Sequence, residues 1–391
     1  MNTAVLAPHI QKFIKSYKGD LSKLAFSGSP FPEVTVQDLL QQIEGRLKAN
    51  KKLDYLLEVD DIYFPPKINL EQTSSQQTAL YKASLIIGEE LADVTGGLGI
   101  DTFHFSKNTK NVDYFELNED LVTIAKHNFD KLDAPNISVV NGNGLALLNT
   151  EKKYDTIYID PSRRTESKQK VFFLNDCLPN VPKHIDELLN HCTLLMIKTS
   201  PMLDIQVGLQ ELKNVSEIHV VAVNNEVKEL LWLCKPNAVA HVQIKTINIK
   251  NSENECFNFQ LNTVSQSTYS SPSTYLYEPN AAILKAGGFS HISDKKGLFK
   301  LHQHTHLFTS EMLMDFPGRR FKIVEVIPYS KKEMKANIAG IKANVTTRNF
   351  TETVAAIRKK WKLKDGGDTY LFFSTLHDNS KVVIKCEKIK D

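Results

Sequence analysis

LADVTGGLGIDTF, residues 91–103, passes from an apolar run to an acid, then to three glycines, then into a stretch of helical character. Read as a strand over 91–94 with a turn and a helix behind it, it sets Asp93 at a strand end and Gly96, Gly97 and Gly99 in the turn. Glycines there let the backbone approach a ligand, and the first helical turn offers N–H groups without intrahelical partners. A dinucleotide fingerprint asks for G-x-G-x-x-G. After Gly97 and Gly99 the third position is Thr102, which counts against NAD.

Outward from this turn, short apolar runs recur at 112–115, 137–140, 156–159, 194–197, 217–223 and 228–234, with amphipathic stretches such as EDLVTIAKHNFDKL and PMLDIQVGLQELKN among them. This alternation predicts an α/β fold with a parallel sheet covered by helices on both faces. Only NNE or so separates the last two runs, which predicts a hairpin and an antiparallel final strand.

Residues 1–70 read as helices and loops, with Thr35 capping a helix whose apolar positions are Leu39, Leu40, Ile43 and Leu47. SQQTALYKASLII reads as another helix. Beyond Lys235, VQIKTINIKNSENECFNFQLNT reads as a strand pair and VSQSTYSSPSTY as a connector; RFKIVEVI and TYLFFSTL then read as strands and NFTETVAAIRKKWKL as a helix. The expected divisions are 1–70 helical, 71–235 the α/β domain, 236–274 strand pair and linker, and 275–391 a further α+β domain.

The 391 residues are 41% hydrophobic and 24% charged, an ordinary globular composition, and no apolar run reaches the roughly 18 residues of a membrane span. The first twenty residues lack the pattern of a signal peptide, so a cytoplasmic location without membrane contact is expected. Five scattered cysteines form no C-x-x-C pair and read as buried thiols. Charge is uneven. Residues 1–234 hold 24 Lys and Arg against 31 Asp and Glu, and 235–391 hold 24 against 14, so net −7 stands beside net +10. A basic module beside an acidic one points to a polyanionic partner.

Glu116 ends the second strand, 17 residues beyond Gly99, where a carboxylate accepts hydrogen bonds from both hydroxyls of a ribose. In VVNGNGLALL, after the third strand, Asn143 offers an amide to a base edge. A helix cap for Glu116 and a turn filler for Asn143 are the plainer readings; three successive strand ends bearing such groups favour a ligand. The fourth strand runs into YIDPSRRTESK, residues 158–168, with Asp160 and Pro161 at its end.

This ordered set resembles the class I S-adenosylmethionine-dependent methyltransferases over residues 71–235. Asp93 with Gly96, Gly97 and Gly99 matches that family's first motif, Glu116 its ribose acid, Gly142 and Asn143 its adenine-contacting turn, and Asp160-Pro161 its fourth motif. Asn143 stands where Asp is more common. The resemblance implies a Rossmann-like seven-stranded sheet whose last strand is antiparallel, and S-adenosylmethionine as cofactor. It also implies that Gln72, Thr73, Ser74 and Ser75, just before the first strand, lie over the methionine part, although Ser75 equally reads as a helix cap.

In the resembled family the fourth-motif acid and the next carbonyl hold a target amine with its lone pair towards the methyl sulfonium. Asp160, with Pro161 and Ser162, is therefore the catalytic candidate. The chemistry is in-line positioning, aided by a carboxylate that accepts an N–H made acidic as the bond forms. The amine-methylating branch of that family commonly continues with a second proline and an aromatic ring, whereas Ser162 and Arg163 stand here. Arg163 and Arg164 read either as groups that stack on a base or grip a phosphate, or as arginines locked to carboxylates. Lys198, at the fifth strand end, is a further substrate-binding candidate. Methylation at C5 of a pyrimidine needs a nucleophilic thiol, and neither DPSRR nor IKTSPMLD contains one, which favours nitrogen or a ribose oxygen.

LYEPNAAILKAGG and KANVTTRNFTETVAAIRKKWKLKDGGDTYLFF resemble the THUMP-like, ferredoxin-like domain attached to a bacterial subset of these enzymes, over roughly residues 275–391. The resemblance implies structured RNA, tRNA or rRNA, as partner. The residues permit it: Arg319 and Arg320 beside a strand, and Lys359 and Lys360 in a basic cluster at a helix end, offer phosphate contacts. Trp361 reads either as a stacking ring or as core. HQHTH, on a strand, would set His302, His304 and His306 on one face, but no carboxylate or cysteine accompanies them, and no metal is expected. The function expected is S-adenosylmethionine-dependent methylation of a nucleobase nitrogen in RNA. Methylation of DNA or a small molecule, and a non-catalytic protein binding S-adenosylmethionine and RNA, stay open.

Overall fold

Helix caps and short apolar strands set the frame of the chain, which a computed structural model describes over residues 1–148, 151–163, 173–238 and 241–390. It divides into two compact units, Met1–Glu217 with Leu230–Ala240, and Ile218–Glu229 with His241–Asp391.

The first unit opens on helices α1 (Pro8–Ser16), α2 (Leu21–Ser27), α3 (Val36–Lys52), α4 (Lys67–Gln72) and α5 (Gln76–Ala83). Thr35 and Asp38 cap the start of α3 reciprocally, each side chain taking the other's backbone N–H. Leu39 and Ile43 are buried, but Leu47 is 55% exposed, so the expected apolar stripe ends a turn early. Leu39, Ile43, Phe64 and Leu70 share one core with Leu98, Ile100 and Ile124, which seats the helical region against the glycine turn and the helices behind it.

From there strands and helices alternate: β1 (Glu90–Asp93), α6 (Ile100–Ser106), β2 (Asn111–Glu116), α7 (Glu119–Lys131), β3 (Ile137–Asn141), α8 (Gly144–Leu147) and β4 (Tyr154–Ile159). Among the described residues, the short strands β5 (Ser162–Arg163) and β6 (Cys177–Leu178) pair with each other as a separate two-stranded sheet. Then come α9 (Val181–His191), β7 (Cys192–Thr199), α10 (Ile205–Glu211), β8 (Val215–Val223), β9 (Glu226–Cys234), β10 (Gln243–Ile249) and β11 (Glu255–Gln260). The seven expected strands stand side by side as β3-β2-β1-β4-β7-β9-β8. β1, β2, β3, β4 and β7 pair in parallel, and β9 runs antiparallel to β7. Asn224 and Asn225 close the β8–β9 hairpin with φ of 48° and 66°, the left-handed pair that a two-residue turn asks for.

The sheet is larger than the seven strands expected. β10 and β11 extend it past β8 to nine, because an open strand edge presents unpaired N–H and C=O groups that a further strand can take up.

In the second unit, to which β10 and β11 also belong, seven further strands among the described residues are ordered β13-β14-β12-β15-β18-β17-β16. They are β12 (Tyr275–Pro279), β13 (Phe299–Lys300), β14 (Phe308–Ser310), β15 (Gly318–Pro328), β16 (Asn344–Arg348), β17 (Thr369–Thr375) and β18 (Lys381–Lys388). The helices are α11 (Ala281–Ala286), α12 (Phe289–Lys296), α13 (Lys331–Asn337) and α14 (Val354–Trp361). Side chains alternate across a strand. Phe373 and Val383 accordingly pack with Met334, Ile357 and Trp361, while their neighbours Phe372 and Ile384 pack with Leu307 and Phe321. Trp361 is thus core. HQHTH forms a turn rather than a strand: His304 N–H donates to His302 Nδ1 at 3.0 Å, and His306 stacks on Phe289. Among the described residues no helix is long and apolar enough to cross a membrane.

Candidate active site

The carboxyl ends of four neighbouring strands, β3, β2, β1 and β4, bring together the residues singled out in the first unit. Asp93 ends β1 and is 1% exposed. Its carboxylate accepts the Thr95 N–H at 3.0 Å and the Thr102 hydroxyl at 2.6 Å. Burial pushes the Asp93 carboxyl up to about 7 despite those bonds. Thr102, the departure from the dinucleotide pattern, therefore ties the first turn of α6 to β1.

The glycine turn needs its glycines for two reasons. A Cβ on Gly96 would stand 2.1 Å from the Tyr114 ring, and Gly97 has φ of +57°, a left-handed conformation that residues with a Cβ rarely adopt. Gly97 N–H donates to Glu116 Oε2 at 2.8 Å, and Asn118 N–H donates to Glu116 Oε1 at 2.7 Å. Two backbone bonds thus orient the Glu116 carboxylate at the end of β2, and each oxygen keeps a lone pair for another donor. Asn143 Oδ1 accepts the Leu145 N–H at 3.1 Å and caps α8, which leaves its NH2 as the group able to donate to a ligand. This open backbone, oriented carboxylate and amide fit a ribose and a base.

Of residues 72–75, Gln72 is exposed and Thr73 gives its carbonyl to Lys52 at 2.7 Å. Ser74 is buried and donates to Asp101 Oδ2 at 2.8 Å. Ser75 caps α5 through the Thr78 N–H, as the plainer reading has it.

Asp160 follows β4. Its N–H donates to Thr95 Oγ1 at 2.7 Å, which joins this loop to the glycine turn. Asp160 Oδ2 pairs with Lys198 Nζ at 2.5 Å, and 36% of its side chain stays exposed, enough for a substrate group to reach it. Pro161 is buried. Ser162 lies opposite Leu178 and donates to its carbonyl at 3.4 Å, and Arg163 lies opposite Cys177. The Arg163 side chain and all of Arg164 lie outside the described residues. Cys177 is a thiol that the reading of DPSRR and IKTSPMLD passed over. Fully buried, it is not presented to a substrate.

Three residues missing from the sequence reading join this site. Lys82 is fully buried on α5; its Nζ lies 3.3 Å from Asp101 Oδ1 and donates to Ser74 Oγ at 3.0 Å. Tyr158 donates to Asp101 Oδ2 at 2.9 Å. Burial pushes the Asp101 carboxyl up, but the charges of Lys82 and Lys198 and the bonds from Ser74 and Tyr158 outweigh it and hold it below the usual range. A lysine at helical spacing from Thr78 and Ala79, and an acid directly behind a glycine turn, were the available signals.

The basic candidates of the second unit divide. Arg319 and Arg348 both grip Glu278, which is 2% exposed; Arg348 Nη2 donates to Oε1 at 2.6 Å and Arg319 Nε to Oε2 at 2.6 Å. Arg320 is half-buried across from Tyr277. Lys360 pairs with Glu352 at 3.1 Å and lies over the Tyr329 and Trp361 rings. Lys359 is exposed, as are Lys342, Lys362 and Lys364, and Lys342 and Lys364 are bridge partners.

The full chain is similar to a candidate methyltransferase from Porphyromonas gingivalis W83, with 31% identity, a TM-score of 0.89 and complete coverage of both chains. Residues 318–388 match the family described as THUMP domain-like, and residues 275–317 a ferredoxin-like domain. The chain belongs to the class I methyltransferases with a C-terminal THUMP-like domain. This methyltransferase is also similar to the tRNA (uracil-54, C5)-methyltransferase of Pyrococcus abyssi, at 17% identity and a TM-score of 0.31 over 40% of this chain and 37% of that one. An S-adenosylmethionine-dependent methyltransferase from Aquifex aeolicus gives 16% and 0.31 over 55% and 99%. No curated protein matches this chain.

Proposed function

We propose that the methyltransferase moves a methyl group from S-adenosylmethionine to a nucleobase nitrogen in structured RNA, tRNA or rRNA. When bound, the cofactor supplies an electrophilic methyl on a good leaving group. Glu116 would accept the ribose hydroxyls, Asn143 would meet the adenine edge, and the backbone at Gly97 would border the amino-acid part.

One bond carries the reading: Asp160 N–H to Thr95 Oγ1 fixes the residue proposed to hold the target amine to the turn proposed to hold the donor. Positioning of that kind is where an enzyme gains most when the leaving group is already good. Asp160, with the carbonyl of Pro161, would hold the N–H groups of the target and turn its lone pair in line. Lys198, paired with Asp160, would keep that carboxylate aimed.

RNA as substrate is supported by the net +10 of residues 235–391 and by exposed Lys342, Lys359, Lys362 and Lys364, which suit a phosphate backbone. Arg319 is occupied by Glu278, so within the second unit we assign phosphate contact to these lysines instead. The test has two parts. Calorimetry should show S-adenosylmethionine binding that Glu116→Ala weakens; no binding by either protein ends the proposal. Nucleoside mass spectrometry of RNA from a deletion strain should show loss of one methylated base, and an unchanged RNA profile with altered DNA or metabolite methylation moves the substrate elsewhere.

A further inference from the structure

Lys82 is the least expected charge in the first unit. Its side chain is fully buried, and its partner Asp101 has an oxygen, Oδ1, that is buried without a hydrogen bond and is compensated by the Lys82 charge 3.3 Å away. Taking two charges out of water costs several kcal/mol for each ion, and apolar residues of the same volume often serve stability as well. Such a pair calls for a role other than stability.

The places it joins suggest that role. Ser74 lies in the loop before α5, Lys82 near the end of that helix, Asp101 in the first turn of α6 behind the glycines, and Tyr158 in β4, two residues before Asp160. The residue after Asp101, Thr102, is bonded to Asp93. One ion pair therefore holds the loop before α5, the glycine turn and the end of β4 in register.

We propose that Lys82 and Asp101 form a buried lock whose task is to position residues 72–75 against the glycine turn for S-adenosylmethionine, with Lys82 as a positioning residue. The proposal rests on the cofactor reading above. Without the lock, Ser74 loses both its charged neighbours and the loop it anchors is free to shift. A displacement near 1 Å in a positioned site costs on the order of a hundredfold in rate, and a ligand that must re-order the loop binds more weakly.

The experiment is calorimetry with S-adenosylmethionine, alongside thermal melting, on the full-length wild type, Lys82→Met, Asp101→Asn, the double variant and Ser74→Ala. Each single change in the ion pair should lower the melting temperature, because it leaves a buried charge or donor unpaired. The double variant should regain most of that loss yet bind S-adenosylmethionine about tenfold or more weakly. Ser74→Ala should weaken binding with a smaller loss of melting temperature than either single change in the pair, since Lys82 and Asp101 keep each other. A double variant that melts and binds like wild type makes the pair purely structural and overturns the proposal, as does unchanged binding by Ser74→Ala where the double variant does not fold. If the wild type itself fails to bind, the cofactor reading falls first and the lock with it. Wild-type binding beside an unweakened double variant removes the lock alone.

Discussion

The two units handle charge in opposite ways. In the first, Lys82 pairs with Asp101 between two helices and out of water, and Lys198 pairs with the partly exposed Asp160 at strand ends; in the second, Lys342, Lys359, Lys362 and Lys364 stand exposed. Charges that fix geometry are paired and withdrawn from water, where they keep their force, and charges that attract a polyanion are left outside, where salt can compete with them. Arg319 and Arg348 cross this division: they belong to the basic unit but are bound to a buried carboxylate.

The largest effect should come from the inward-facing set. Asp160→Ala should lower single-turnover methyl transfer at least about a hundredfold while S-adenosylmethionine affinity stays within a few fold. Loss of both together would mean that Asp160 serves the cofactor. Next, Glu116→Ala should weaken S-adenosylmethionine about tenfold or more by calorimetry, since the carboxylate accepts two hydroxyls in the proposed complex. In the outward-facing set, the combined Lys359→Ala, Lys362→Ala and Lys364→Ala variant should bind RNA about tenfold less tightly at low salt, with a shallower salt dependence and unchanged melting. A steep loss of melting temperature instead would place those lysines in the structural class.

Arg319→Ala should do the reverse. Glu278 would keep only Arg348, and stability should fall by about 1–2 kcal/mol, less than a fully buried pair because Arg319 is partly exposed. RNA affinity at matched folded fraction should be unchanged. The last effect concerns Asp93 and is read from the pH dependence of stability. Its carboxyl sits near 7 in the folded chain against an ordinary 3.8, so between those values the folded state holds more protons than the unfolded one. Stability from this group is therefore present at low pH and is lost as pH rises from about 4 to 7. Asp93→Asn should flatten the melting temperature over that window.

The strand-end groups were legible because their signals are local. An acid before glycines, an acid at the next strand end and Asp-Pro at the fourth all depend on neighbours within a few residues. Strand existence followed apolar runs, and observed bounds differ from the reading by a residue or two, as with β7 at Cys192–Thr199 against 194–197. What stayed hidden depends on distant partners. Nothing near Lys82 in the chain announces Asp101, 19 residues on, and nothing near Arg319 announces Glu278, 41 residues back. The joining of β10 and β11 to the sheet is likewise a pairing that the strand pair's own sequence does not specify. Trp361 had two readings, and packing against Met334, Ile357 and Phe373 chose the core.

The most direct measurement is transfer of labelled methyl from S-adenosylmethionine to total RNA taken from a strain lacking this gene. Label should enter RNA with the wild-type protein, disappear on ribonuclease treatment, and be absent with Asp160→Ala. Label that enters no RNA under conditions where the wild type binds S-adenosylmethionine would contradict the account.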